Sequence, residues 1–151
     1  MAKYPHMSPR ESEIWSAFLQ AGKLSAGTLY YDARVGHPIP PEPGQATWVS
    51  VVRSAVSRKR IDAVVRTPGM WILYEVKVRA GLAAVGQAIS YEYLFSVAIA
   101  GDTPVTCAIV CDYAARDVYE ICEHEGIGLF VSHAFPLPFR WLPPRGFTGL
   151  T

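Results

Sequence analysis

Asp62, Glu75 and Lys77 are the residues of this chain whose types and spacing point most directly to chemistry. They lie in Arg60-Ile-Asp-Ala-Val-Val-Arg-Thr-Pro-Gly-Met-Trp-Ile-Leu-Tyr-Glu-Val-Lys-Val78. Apolar, β-branched runs flank Thr67-Pro68-Gly69-Met70, where Pro presets one turn torsion and Gly tolerates a positive one, so the stretch predicts a β-hairpin. With the turn on Pro68-Gly69, Val65 faces Ile72, Ala63 faces Tyr74 and Asp62 faces Glu75. Directly opposed residues have Cβ atoms roughly 5 Å apart. Lys77, two residues beyond Glu75, shares its face because side chains alternate along a strand. Facing carboxylates repel unless something neutralises them. A divalent cation such as Mg²⁺ (or Mn²⁺) would, since it takes oxygen ligands and often only one or two carboxylates. Lys77 is then placed to orient or polarise a substrate phosphate and its attacking water. Two alternatives stay open: a solvated Asp/Glu/Lys trio on an exposed sheet face, and a bulge that slips the register by one residue.

The neighbouring elements must position that trio. Ser8-Pro9-Arg10-Glu11 predicts a helix start, with Ser as N-cap, Pro at the first position and Glu11 closing a capping box. Ile14, Trp15, Phe18 and Leu19 follow at helical spacing, and Glu11 borders that apolar face. Capping accounts for Glu11 by itself; a place in the active site is the second reading. Thr28 to Val35 reads as a strand in which Asp32 and Arg34 share a face. A proline-rich loop with His37, a lone histidine best read as a bystander, leads to a short helix predicted within Trp48 to Lys59. After the hairpin, Ala80 to Ala100 predicts a helix apolar almost all round, hence buried. On it Gln87 and Tyr91 stand four apart on one face. Ten residues after Lys77, Gln87 can return towards the carboxylates, or be a buried amide satisfied by backbone. Val105 to Cys111 reads as a buried strand, Ala114 to Glu125 as a helix and Ile127 to Ser132 as a last short strand.

A chain of 151 residues, half of them apolar, predicts one compact domain with a real core. Residues 1–133 form that domain and 134–151 a proline- and aromatic-rich tail. No uninterrupted apolar run reaches the roughly 18 residues of a membrane span, and no signal-peptide pattern opens the chain, so a cytoplasmic protein without membrane contact is expected. For a phage-encoded protein that means host cytoplasm or virion. Cys107, Cys111 and Cys122 lack CxxC spacing and read as reduced, buried thiols, which excludes a zinc or iron–sulfur site. The net charge is only +1 but is unevenly spread. Arg53, Arg58, Lys59, Arg60, Arg66, Lys77 and Arg79 face two acids between positions 53 and 79, whereas six acids face three bases from Gly101 onward. A basic side at the hairpin suits a phosphodiester backbone, with Arg53, Arg58, Lys59, Arg60 and Arg79 as the candidate contacts. A merely solvated charged edge is the alternative.

The order helix, three strands, helix, strand, taken with Asp62, Glu75-Val76-Lys77 and Gln87-x-x-x-Tyr91, resembles the PD-(D/E)xK nuclease superfamily over roughly Ser8 to Asp112. That resemblance implies an α/β fold: an αβββαβ restriction-endonuclease-like core, with a mixed central sheet flanked by helices. It implies that Asp62 and Glu75 bind Mg²⁺ and that Lys77 assists catalysis. Gln87 and Tyr91 are similar to a pair in RecB-type exonucleases, and Glu11 to the N-terminal helix acid of archaeal Holliday-junction resolvases. Ile61 stands where the family often has Pro, a tolerated departure. The implied activity is a Mg²⁺-dependent DNA nuclease that hydrolyses phosphodiesters through a metal-bound water. The alternative is a nuclease-fold binding or structural module, in a phage particle or nucleoprotein assembly, with weak or no catalysis. The tail favours that alternative, since its proline-spaced aromatics suit contact with a second copy or an assembly partner. A Rossmann-like small-molecule enzyme is disfavoured, because no Gly-rich loop follows a strand.

Overall fold

Ser8, Pro9 and Glu11 open the first helix, α1 (Pro9–Gln20), as their types dictate: the Ser8 hydroxyl accepts from the Glu11 N–H and the Glu11 carboxylate accepts from the Ser8 N–H. The structure is a computed structural model that describes residues 4–37, 40, 42–49, 51–52, 58–132 and 140–146, the backbone alone for 140–142. After α1 come β1 (Thr28–Val35), β2 (Lys59–Arg66), β3 (Trp71–Ala80), α2 (Leu82–Phe95) with a π-helical turn over Ser96–Ala100, β4 (Val105–Ala114), α3 (Arg116–Glu125), β5 (Gly128–Val131) and β6 (Arg140–Leu142). This is the αβββαβ order, extended by α3, β5 and β6.

The strands form one sheet in sequence order, β1-β2-β3-β4-β5-β6. β1, β2 and β3 run antiparallel, β4 and β5 follow β3 in parallel, and β6 turns back antiparallel to β5. The sheet is therefore mixed. The two parallel links are made by helices, as parallel neighbours require. α1 covers one face, where Trp15 and Phe18 are fully buried against Tyr74, Val110 and Phe130. α2 and α3 cover the other, where Ala88, Tyr91 and Val118 pack on Val64, Leu73 and Ile109.

The hairpin has the expected register, with Ala63 opposite Tyr74 and Val65 opposite Ile72. The Thr67 hydroxyl accepts from the Met70 N–H at 3.1 Å and fixes the turn without a bulge. Residues 47–49 and 51–52 are helical, starting one residue before the stretch expected to hold a short helix; Lys59 instead begins β2.

Two expectations need correction. The helix after the hairpin is not buried all round: Leu82, Ile89, Tyr93 and Val97 stand exposed while Ala84, Val85, Ala88, Tyr91 and Phe95 face the sheet. No further layer is described over the outer side of α2, so those apolar side chains remain at the surface, as much apolar area does in any folded protein. By length and composition Leu82–Ala100, 19 residues, is apolar enough to cross a membrane, although no uninterrupted apolar run is; here its inner stripe packs on the sheet. The second correction concerns the C-terminal stretch. Arg140–Leu142 forms a regular element, with Phe130 opposite Trp141, and the Arg145 N–H bonds the Gly126 carbonyl at 2.8 Å. Gly126 (φ +71°) and Gly128 admit this return, because a Cβ on Gly128 would lie 2.8 Å from Pro144. Phe135, Phe139 and Phe147 lie outside the described residues.

Candidate active site

β2 and β3 pair from Arg66–Trp71 back to Ala63–Tyr74, and the ladder stops there. Asp62 and Glu75 are the next opposed positions. In place of a further ladder bond, the Asp62 carboxylate accepts the Val76 N–H at 2.8 Å. One carboxylate oxygen thus ties the parting strands together. Lys77 folds back along β3, its ammonium donating to Glu75 Oε1 at 2.6 Å. Glu75 is only 4% exposed, and its Oε2 is buried with no hydrogen-bond partner.

The electrostatics follow from that burial. Loss of hydration, then the Asp62 charge, pushes the Glu75 carboxyl up to about 7, against the lowering influence of Lys77. Asp62 is also raised, by burial first, while the Val76 N–H and Lys77 pull it down. Burial disfavours the charged form of Lys77, yet its hydrogen bond to Glu75 and the charges of Glu75, Asp62 and Glu11 leave it raised overall. The ammonium therefore keeps its proton, and the carboxylates carry the cost of crowding. An orphaned buried carboxylate oxygen next to a second carboxylate suits a hard cation that prefers oxygen ligands. Asp62 and Glu75 thus fit one Mg²⁺ or Mn²⁺. Among the described residues no group of three or more His, Cys, Asp or Glu side chains forms a larger metal cluster.

The other expected site residues distribute as follows. Glu11 closes the capping box and also lies near enough for its charge to act on Asp62, Glu75 and Lys77. α2 brings Tyr91 into the same field: burial first, then the Glu75 charge, raises its phenol. Gln87 is half-buried and directs its amide to the Tyr91 hydroxyl at 3.4 Å. Arg58 and Lys59 are exposed at the start of β2. Arg60 turns to Asp32, with its Nε 3.7 Å from Asp32 Oδ1, and it also contacts His6. Arg79 lies exposed over the Tyr113 ring. Arg53 lies outside the described residues.

Asp32 is the residue near the site that sequence reasoning did not bring to the carboxylates. It meets His6 at 3.2 Å and Arg60 Nε at 3.7 Å. In the β1–β2 register Tyr31 faces Ala63 and Ala33 faces Ile61, so Asp32 stands opposite Asp62, whose carboxyl its charge helps to raise. Counting that register outward from Ala63 was the available signal. Its backbone φ of +55° is uncommon outside glycine and is shared among described non-glycine residues only by His6, at +61°. The two left-handed residues therefore meet beside the carboxylates.

No family model matches the chain, and no curated protein matches it. Among solved structures it is similar to a repair endonuclease from Pyrococcus abyssi, with 17% identity and a TM-score of 0.47 over 85% of this chain. The aligned region is 48% of that protein, so the chain spans about half its length.

Proposed function

We propose that this chain is a Mg²⁺-dependent DNA nuclease that hydrolyses phosphodiester bonds at Asp62, Glu75 and Lys77. The observation that carries the reading is the buried, unpartnered Oε2 of Glu75, held beside a second carboxylate and a lysine where two strands part. A structural ion pair would satisfy both carboxylate oxygens; this one leaves an oxygen unmet at considerable desolvation cost. Asp62 and Glu75 would hold the cation, with Asp62 fixed by the Val76 N–H and Glu75 by Lys77. Bound Mg²⁺ would supply charge to the scissile phosphate and make water more acidic there. Lys77, charged throughout, would contact a phosphate oxygen and help stabilise the charge that builds in the transition state. Tyr91 and Gln87 close the α2 side, while Arg58 and Lys59 offer exposed charge to the nucleic-acid backbone.

The test is cleavage of labelled linear, nicked and branched DNA with Mg²⁺ or Mn²⁺, comparing wild type with Asp62→Asn and Lys77→Met. Wild type is expected to cut and both variants to lose at least about a hundredfold in rate. A wild type that binds DNA but never cuts it would make the nuclease-fold binding module the better account.

A further inference from the structure

The C-terminal ends of β3 and β4 carry a pair that phosphodiester hydrolysis as described leaves unused. Arg79 and Tyr113 are register partners on these parallel strands, and the Arg79 guanidinium lies 4.9 Å from the centroid of the Tyr113 ring. Arg79 is exposed and Tyr113 is 43% exposed. The strand end beneath them is firmly held. Asp112, next to Tyr113, is buried, accepts from Arg10 Nε at 2.9 Å and is also bonded by the Ser132 hydroxyl. An aromatic ring standing out from so well anchored a backbone is a pre-positioned surface.

Its location ties it to the candidate active site. Arg79 lies two residues beyond Lys77, about 7 Å along β3, and Tyr113 lies about 5 Å sideways on β4. Lys77 and Tyr113 are therefore separated at the backbone by about 8 Å. A stacked nucleic-acid strand advances about 3.4 Å per nucleotide, so a phosphate held at Lys77 brings bases one or two nucleotides away within reach of the ring.

We propose that Tyr113 and Arg79 form a nucleobase-stacking shelf, and that the site accordingly takes a DNA strand whose bases next to the scissile phosphate are unpaired. This rests on the nuclease reading and narrows its substrate. A ring and a planar guanidinium each stack on a base, and Arg79 adds positive charge for the adjoining phosphate. Within a duplex the faces of each base are already covered by its neighbours. A shelf of this kind therefore gains only from single strands, flaps or frayed ends. Stacking of this kind is tolerant of sequence, so the shelf selects strand state and not a base order.

The experiment is fluorescence anisotropy with the full chain, with Ca²⁺ added to neutralise the carboxylate pair, on a labelled oligo(dT) and a matched abasic strand. Wild type is expected to prefer the base-containing strand by about tenfold. Tyr113→Leu should abolish that preference with an unchanged salt slope, and Tyr113→Phe should keep it. Equal wild-type affinity for the two strands, or an undiminished preference in Tyr113→Leu, overturns the shelf. Should wild type cut DNA with Mg²⁺ yet fail to discriminate the two strands, the shelf alone falls. Should it bind neither strand and cut nothing, the shelf and the nuclease reading fall together.

Discussion

Glu75 sits where its own charge is disfavoured, and that has a measurable consequence. Its carboxyl titrates at about 7 in the fold, against 4.5 for an ordinary glutamate. Between those values the folded chain holds a proton that the unfolded chain has released. The associated stability is complete below about 4.5 and is lost as pH rises through about 7. Metal-free protein is expected to be less stable near pH 8 than near pH 6, by on the order of 1 kcal/mol, and Glu75→Gln to flatten that slope in urea melts. A cation that binds the ionised form should restore stability most strongly at the higher pH. Glu11 allows its two roles to be separated, because glutamine also completes a capping box. Glu11→Gln should leave the unfolding free energy within a few tenths of a kcal/mol while slowing cleavage. If its role is capping alone, rate and stability will both stay at wild-type values.

At the scale of elements, the hairpin and the strand beside it were both legible in the sequence, β1 over Thr28–Val35 included. Pro68-Gly69 and the apolar runs around it pointed to the Ala63–Tyr74 pairing, and the alternative of a one-residue slip is not taken. What the sequence did not show is the left-handed backbone of Asp32, because no turn signal marks it within an otherwise regular strand. The α1 start was legible to the residue, because Ser, Pro and Glu each have a specific place there. The outer face of α2 was not, since its composition cannot tell how many layers the fold will build. β6 was hidden for another reason: three residues among prolines are too few to show a period of two. Its anchoring gives a further expectation. Gly128→Val would drive a side chain into Pro144 and Ala108, and a loss of about 1–3 kcal/mol in urea unfolding is expected. An unchanged midpoint would mean that the return of residues 143–146 contributes nothing to stability.

Across the whole molecule, one sheet carries both the core and the candidate site. The α1 side holds the aromatic cluster around Trp15, Phe18 and Tyr74, and the carboxylates sit where the β2–β3 ladder ends. Arg58 and Lys59 stand exposed at the start of β2. Neutralising both together should reduce the slope of log affinity against log salt by about two units, and an unmoved slope would place them away from the DNA. The pairing of β6 with β5 makes the C-terminal stretch part of the domain's own sheet. Removing residues 140–151 is therefore expected to lower the melting temperature of the protein; an unaltered melting curve with a lighter assembly in light scattering would return that stretch to an intersubunit role. The central claim is that Asp62 and Glu75 together hold one divalent cation while Lys77 does not. Calorimetric titration of Mn²⁺ into wild type, Glu75→Gln and Lys77→Met tests it directly, because an ammonium cannot coordinate a metal and a carboxylate can. The account predicts one site in wild type, its loss in Glu75→Gln and its survival in Lys77→Met. A wild type that binds no metal at millimolar concentration, or a Glu75→Gln protein that binds it as well, would contradict the account.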